Sequence, residues 1–379
     1  MTELQKIKKF LSEEFVLVAS IVCVVVSMFF VEMDAKVFAS YIDWKSLGIL
    51  MSLMLVSEGL KLNGVFTAAA SKMTRAGNIK VLVLCLTLLP LVAAMLVTND
   101  VALITFVPLS IAALLRIGRG DLIMGVVILQ TIAANLGASI TPIGDPHNLY
   151  IYMSYAPSIS DWFKATWPYL PLGLIMVAIP SVILASKKPV LSEKLGTSSP
   201  KSGLKGRGTP NSILAILAVL CILGVLGIVD WRIVVVAVMA VMSATNRQAV
   251  KNIDWYLLVT FICFFVFSGN LRSIPAVSDF LGSLAQNNTF EVTVVSSQVI
   301  SNVPATVVLA PFTTNWKELA IGADVGAFGT PIASLANLIS MKIYFRSEGA
   351  KRGRYMLYFT IAEVVSLALL WGFAAIVTL

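Results

Sequence analysis

One stretch of this chain occurs twice. Residues Asn135–Leu149 read NLGASITPIGDPHNL, and Asp324–Leu338 read DVGAFGTPIASLANL. At a constant offset of 189 they share Gly137/Gly326, Ala138/Ala327, Thr141/Thr330, Pro142/Pro331, Ile143/Ile332, Asn148/Asn337 and Leu149/Leu338. Both copies lie between apolar segments. Inside a helix a glycine costs about 1 kcal/mol and a proline about 3, so neither copy suits regular helix. At membrane depth a chain leaves helical form only where protein or water satisfies the freed amides and carbonyls. One such break reads as a kink. A matched pair in two halves predicts two broken helices that meet at a midplane site.

Composition supplies the membrane. Of 379 residues 58% are hydrophobic and 13% charged, and the mean hydropathy is +0.89. Soluble domains carry about 25% charge, and many stretches here are long enough for ~30 Å of hydrocarbon. The expected fold class is an all-α polytopic membrane protein. The net charge of +8 comes from lysines and arginines in short loops, where they set orientation. No basic stripe with interleaved aromatics points to nucleic acid, so the bilayer is the expected large partner. Cys23, Cys85, Cys221 and Cys263 all sit in apolar runs, spaced for neither zinc nor a disulfide framework. A single histidine excludes a His-rich metal site. The chain has no HExxH or GxSxG and no phosphate-binding loop, which argues against an enzyme, a bound cofactor and ATP drive within the chain. The apolar run Phe15–Val31 has no convincing cleavage site after it and reads as a retained helix.

Residues 187–210, KKPVLSEKLGTSSPKSGLKGRGTP, form a polar linker between an N-terminal repeat, 1–186, and a C-terminal repeat, 211–379. The repetition extends beyond the Gly/Pro motif. Asp43-Trp44 and Asp254-Trp255 each open an apolar segment, and Glu58-Gly59-Leu60 and Gly269-Asn270-Leu271 follow fifteen residues after each Asp. Thr98-Asn99-Asp100 and Ser301-Asn302-Val303 come next, with Pro108 and Pro311 ten residues beyond. Counting charged loops places the N-terminus, Lys61, Lys80, Arg116, Arg119, the linker and Lys342–Arg354 in the cytoplasm. The acidic Glu32–Asp43 loop, Ala156–Lys164 and the C-terminus fall outside. Re-entrant hairpins are expected at about 80–116 and 289–313, and broken helices at about 122–156 and 320–346. The two repeats are then antiparallel across the membrane, in the manner of alternating-access transporters. Lys61–Gly77 and Arg272–Asn288 read as interfacial arms.

Broken helices present positive N-terminal ends and bare carbonyls. The ends suit an anion or polar solute, and the carbonyls with Asn and Thr side chains suit sodium. Asn99 and Asn302 stand at the hairpin tips, where capping the next helix and binding solute are compatible tasks. Asp100 is an intramembrane carboxylate and so a functional candidate; Asp145 and Asp324 join it as proton-coupling candidates. Asp324 aligns with Asn135, which makes the halves chemically unequal. Glu58 lies three residues before Lys61 and is expected to pair with it. His147 is read first as a structural donor, and Glu363 lies in the last helix with no motif around it.

From Asp43 onward, the tips, the two Gly/Pro loops and their order resemble the ion transporter superfamily: arsenite permeases, sodium/proton antiporters of the NhaD type, the melanosomal P protein and the divalent-anion/sodium symporters, all with a citrate transporter-like domain. In the symporters each tip reads Ser-Asn-Thr. Here Thr98-Asn99-Asp100 and Ser301-Asn302-Val303 occupy those places, closer to the arsenite-permease and P-protein branch. The resemblance implies solute and ion contacts at both tips and at the loops Gly137, Ala138, Thr141 and Pro142, and Gly326, Ala327, Thr330 and Pro331, with Asn148 and Asn337 beside them. It also implies a scaffold part and a moving transport part, a homodimer, coupling to protons or sodium and, for arsenite permeases, a separate ATPase subunit. The expected function is secondary active transport of a small anion or metalloid oxyacid. The alternatives are a sodium/proton antiporter and, from another class, an ion channel.

Overall fold

The computed structural model describes residues 14–66, 68, 78–186 and 209–377. The basic N-terminus, nearly all of the linker and most of the first interfacial arm lie outside the described residues. Those described form nineteen α-helices and no strand. Five helices have the length and apolarity of membrane spans: Asn99–Arg116, Gly120–Ala138, Tyr169–Ser186, Trp255–Ser273 and Arg352–Val377. Ala35–Tyr41 with Trp44–Leu62, bent by 59°, makes a sixth. The protein is an all-helical polytopic membrane protein.

Local chemistry sets the boundaries. Asp43 and Asp254 each cap a 19-residue helix, accepting from Ser46 N (3.0 Å) and Leu257 N (2.9 Å). The flanking tryptophans fold back alike, Trp44 Nε1 donating to Ala39 O and Trp255 Nε1 to Val250 O. In the last helix Tyr355, Phe359, Glu363, Ser366, Leu370 and Ala374 are buried at helical spacing, while Leu357, Ile361, Val364, Val365 and Leu369 are exposed. An apolar outer stripe of this kind is a lipid-facing surface.

The first hairpin pairs Ile79–Ala94 with Asn99–Arg116; the second pairs Thr289–Ile300 with Asn302–Leu309, extended by a 3-10 turn at Ala310–Phe312. At 1.5 Å per residue, the arms of the second hairpin fall well short of ~30 Å. The first broken helix runs Ile123–Ala138, then an irregular loop, then Pro146–Tyr155. The second runs Trp316–Gly326, a loop, then Leu335–Phe345. It begins ahead of the expected 320 because Asn315 caps it, accepting from Glu318 N at 3.2 Å.

Two hydrophobic cores organise the molecule. One joins the first hairpin, Ile123–Ala138, Tyr169–Ser186 and the last helix with Phe290, Val294, Ile321, Val325 and Phe328 from beyond the linker. The other joins Trp44–Leu62 and Leu149–Met153 with Asn211–Val225, Trp231–Thr245, Trp255–Ser273 and Val307–Phe312. Each core draws on both halves of the sequence, and each broken helix contributes to both cores. The first loop therefore lies where the cores meet, and the second is flanked by the first core.

Candidate functional site

Glycine brings each hairpin against a broken helix. A Cβ on Gly137 would collide with the backbone of Leu91, and one on Gly326 with Ser297 and the Cα of Val294. Leu91 and Val294 are partners at the hairpin offset of 203. The same bonds then recur on both sides. The tip amide of Asn99 donates to Gly144 O (3.1 Å) and that of Asn302 to Ala333 O (2.8 Å). Each tip Asn is the first residue of its helix, and its Oδ1 accepts from the next amide, Asp100 N or Val303 N, at 2.9 Å. The N-cap positions themselves, Thr98 and Ser301, make no side-chain cap bond, so the tip asparagines do not cap in the expected way. Asn148 Nδ2 donates to Ala138 O and Asn337 Nδ2 to Ala327 O. Thr141 Oγ1 donates to Met95 O (2.8 Å) and Thr330 Oγ1 to Gln298 O (3.0 Å). Asp145 and Ser334, in near-identical backbone conformation, cap the second segments of the two broken helices.

Between these frames lies a buried polar cluster. His147 is fully buried, its Nδ1 2.6 Å from Asp145 Oδ1 and its Nε2 3.1 Å from Asp324 Oδ1. Asn99 Nδ2 donates to Asp145 Oδ2 at 2.7 Å and lies 3.2 Å from Asn135 Oδ1. Asn148 Nδ2 donates to Asp324 Oδ1 at 2.9 Å. In the matching position across the site, Asn135 Nδ2 donates to Asn337 Oδ1 at 2.9 Å, and Ser334 Oγ donates to Asn135 Oδ1 at 3.3 Å. Asn302 Nδ2 reaches the imidazole, 3.4 Å from Nδ1. One side of the cluster is thus neutral, built on Asn135, Ser334 and Asn337. The other is charged, built on Asp324, Asp145, His147 and Asn148.

An imidazole bonds an acid on each side either as imidazolium, donating to both, or as the neutral ring, donating to one acid and accepting from the other when that acid keeps its proton. Either way the Asp–His–Asp unit holds its contacts with a net charge of −1. Helices beginning at Asn99, Pro146, Asn302 and Leu335 all start at this cluster and each brings about half a positive charge, while Ile123–Ala138 and Trp316–Gly326 end beside it and each brings about half a negative one. Among the described residues the only buried Lys or Arg is Arg119, which pairs with Asp121 at 3.0 Å. Asp324 Oδ2 has no hydrogen-bond partner, and Asp324 also lines a 10 Å³ cavity with Ser139, Thr166 and Tyr169, about the size of one water.

Of the expected site residues, the structure brings Asn99, Asn302, Asp145, Asp324, Asn148 and Asn337 into the cluster. Gly137, Ala138, Gly326 and Ala327 form the helix ends around it, and Pro142 and Pro331 the loop turns. Thr98 and Ser301 precede the tips, Ser301 at a positive φ of 76°. Thr141 and Thr330 tie the loops to the hairpins. Asp100 is half-buried on the first turn of its helix, outside the hydrogen-bonded cluster, and its Oδ1 makes no bond. Glu58 pairs with Lys61 and accepts from Asn252 Nδ2 at 3.0 Å. His147 and Asn135 are central, beyond the weight their sequence positions gave them.

Residues 10–336 match the model of the citrate transporter family. The chain belongs to that family. It is similar to the inner membrane protein YbiR of Escherichia coli, 29% identical over 83% of this chain and 84% of that protein. It is likewise 29% identical to the transporter MJ0456 of Methanocaldococcus jannaschii, over 88% of this chain and 90% of that one. To the transporter Rv2684 of Mycobacterium tuberculosis it is 24% identical over 81% and 79%. Within the ion transporter superfamily this citrate transporter family member is a membrane transporter and not an enzyme.

Proposed function

We propose that the chain is a secondary active transporter that moves a small anion or metalloid oxyacid, coupled to protons or sodium, by elevator-type alternating access in a homodimer. The observation that carries this reading is the buried Asp145–His147–Asp324 unit at the start of four helices. Losing one proton from it breaks one of its two imidazole–acid contacts and leaves a net charge of −2. A sodium ion restores the charge, and a solute that brings hydrogen-bond donors replaces the lost contact. That exchange is a physical basis for coupling, because loading changes the affinity for protons and the reverse follows by linkage.

The charge of the site also ranks solutes. A polyanion entering beside two carboxylates must bring cations with it, whereas an uncharged oxyacid meets the amides of Asn99, Asn302, Asn148 and Asn337 directly. The same two carboxylates, with no lysine or arginine beside them, favour a second reading: sodium/proton antiport with no separate solute.

Purified protein in liposomes separates these. A sodium gradient is imposed and internal pH followed, first without solute, then with arsenite or citrate. Proton movement without solute supports antiport; movement that starts only with an added compound supports solute transport and names its class. Either activity is expected to be lost in Asp145→Asn and largely kept in Asp100→Asn. Proton movement under none of these conditions overturns both readings.

A further inference from the structure

The last helix holds a carboxyl that the cluster does not use. Glu363 is fully buried, and neither of its carboxylate oxygens has a hydrogen-bond partner. It sits in the middle of the inward stripe of Arg352–Val377, where Leu367, one turn on, packs against Gly329 of the second broken-helix loop and the Gly329 amide faces Glu363. Gly329 has φ 110°, open to glycine alone at no cost, and a Cβ there would meet Gln298 Oε1.

The first loop shows what ordinarily fills such a place. The repeat partner of Gly329 is Ile140, whose carbonyl accepts from Thr166 Oγ1 (2.9 Å) and Trp162 Nε1 (3.3 Å). That loop is sealed by neutral donors. In the second loop Gln298 Nε2 donates to Gly326 O and Phe328 O, each at 2.9 Å, and Thr330 N donates to Gln298 Oε1 at 3.0 Å. Gln298 and Thr330 N are thus occupied, which leaves the Gly329 amide as the loop donor beside Glu363. A buried charge without a partner costs several kcal/mol, whereas a neutral acid fits an apolar wall and has a proton to donate. The helix bearing Glu363 is bound to the second broken helix: Tyr344 stacks on Tyr355 at 4.4 Å and Tyr355 on Phe359 at 5.6 Å.

We propose that Glu363 is a second proton-binding group of the transport cycle, acting on the Ala327–Ser334 loop independently of the Asp–His–Asp unit. As the neutral acid it lets the loop pack against the last helix. As the carboxylate it demands more donors than the single Gly329 amide of the closed loop, so it favours a loop displaced from the helix and open to water. Titratable groups on the surrounding elements are Arg352, Arg354, Tyr355 and Tyr358 on its own helix, Tyr344 and Lys342 on Leu335–Phe345, Lys317, Glu318 and Asp324 on Trp316–Gly326, Glu291 on Thr289–Ile300 and Tyr169 on Tyr169–Ser186. Ile123–Ala138 carries none.

This inference rests on the transport reading for its role in the cycle, but its first test does not. Infrared difference spectra of the purified protein across a pH step report acid carbonyl groups directly. A band present in the wild type at neutral pH, deleted in Glu363→Gln, shifted in Glu363→Asp and retained in Asp145→Asn is the expected result. A wild-type spectrum in which Glu363→Gln deletes no band overturns the proposal. In the liposomes, Glu363→Gln is expected to move sodium, arsenite or citrate, whichever the wild type moves, with fewer protons per ion or solute and a flattened pH profile. An unchanged proton ratio and profile also overturn it. A wild type that transports none of the three sinks the transport reading, and the infrared result still decides Glu363.

Discussion

Taking away the imidazole of His147 leaves Asp145 and Asp324 on either side of an empty space. Breaking a buried ionic contact by removing one partner costs about 3–5 kcal/mol, so His147→Ala is expected to lower the thermal midpoint strongly at neutral pH. Adding a proton to either acid returns the pair to the net charge of −1 that the intact unit carries, so the deficit relative to wild type shrinks as pH falls. Thermal unfolding in detergent at neutral and acidic pH checks both; equal midpoints for variant and wild type at neutral pH would sink the argument. The residue also shows what sequence reading sees. Asn99, Asn302, Asn148 and Asn337 were legible because each occurs twice. His147 stands opposite Ala336 and Asp145 opposite Ser334, so a search guided by repetition discounts the positions where the halves differ, and here those carry the charge. Asn135 opposite Asp324 was the available signal: a repeat that swaps an amide for an acid marks a site built unequally. Asp100 attracted attention as an intramembrane acid, yet its place on the first turn after the tip leaves it outside the cluster.

At the scale of elements, the hairpins and broken helices were legible because Gly and Pro interrupt the apolar runs, and their bounds follow from the caps. What could not be read was why glycine stands at Gly137 and Gly326. It serves contact as much as breakage, since each lets a hairpin backbone cross the helix end closely. The two sites differ in what an added methyl group would strike. At Gly137 it meets the backbone of Leu91, which cannot turn aside; at Gly326 it first meets the side chain of Ser297. Overpacking costs about 1–3 kcal/mol. Gly137→Ala is expected at or beyond the top of that range and Gly326→Ala toward the bottom, measured as thermal shifts of the purified variants. The opposite order would show that the second crossing is the tighter one. Gln298 was also hidden, because its repeat partner is Met95. The bond the two positions share uses a backbone carbonyl, which is indifferent to the side chain above it.

For the whole molecule, the linker divides the sequence but not the packing. Both cores are built from both halves, as two independent domains would not be. The local details match between the halves: Asp43 and Asp254 cap alike, the tryptophans after them bond back alike, and the tips meet the loops through the same amides. If the halves are antiparallel, equivalent surface positions face opposite sides of the membrane. Lys36 lies in the helix before Asp43, Lys251 in the helix before Asp254, and both are exposed. With the four cysteines replaced, Lys36→Cys is expected to react with a membrane-impermeant maleimide in right-side-out vesicles, and Lys251→Cys only in inside-out vesicles. Labelling of both from one side would make the repeats parallel. The Asp–His–Asp unit would then lie between two halves facing the same way, and alternating exposure could not come from exchanging their roles.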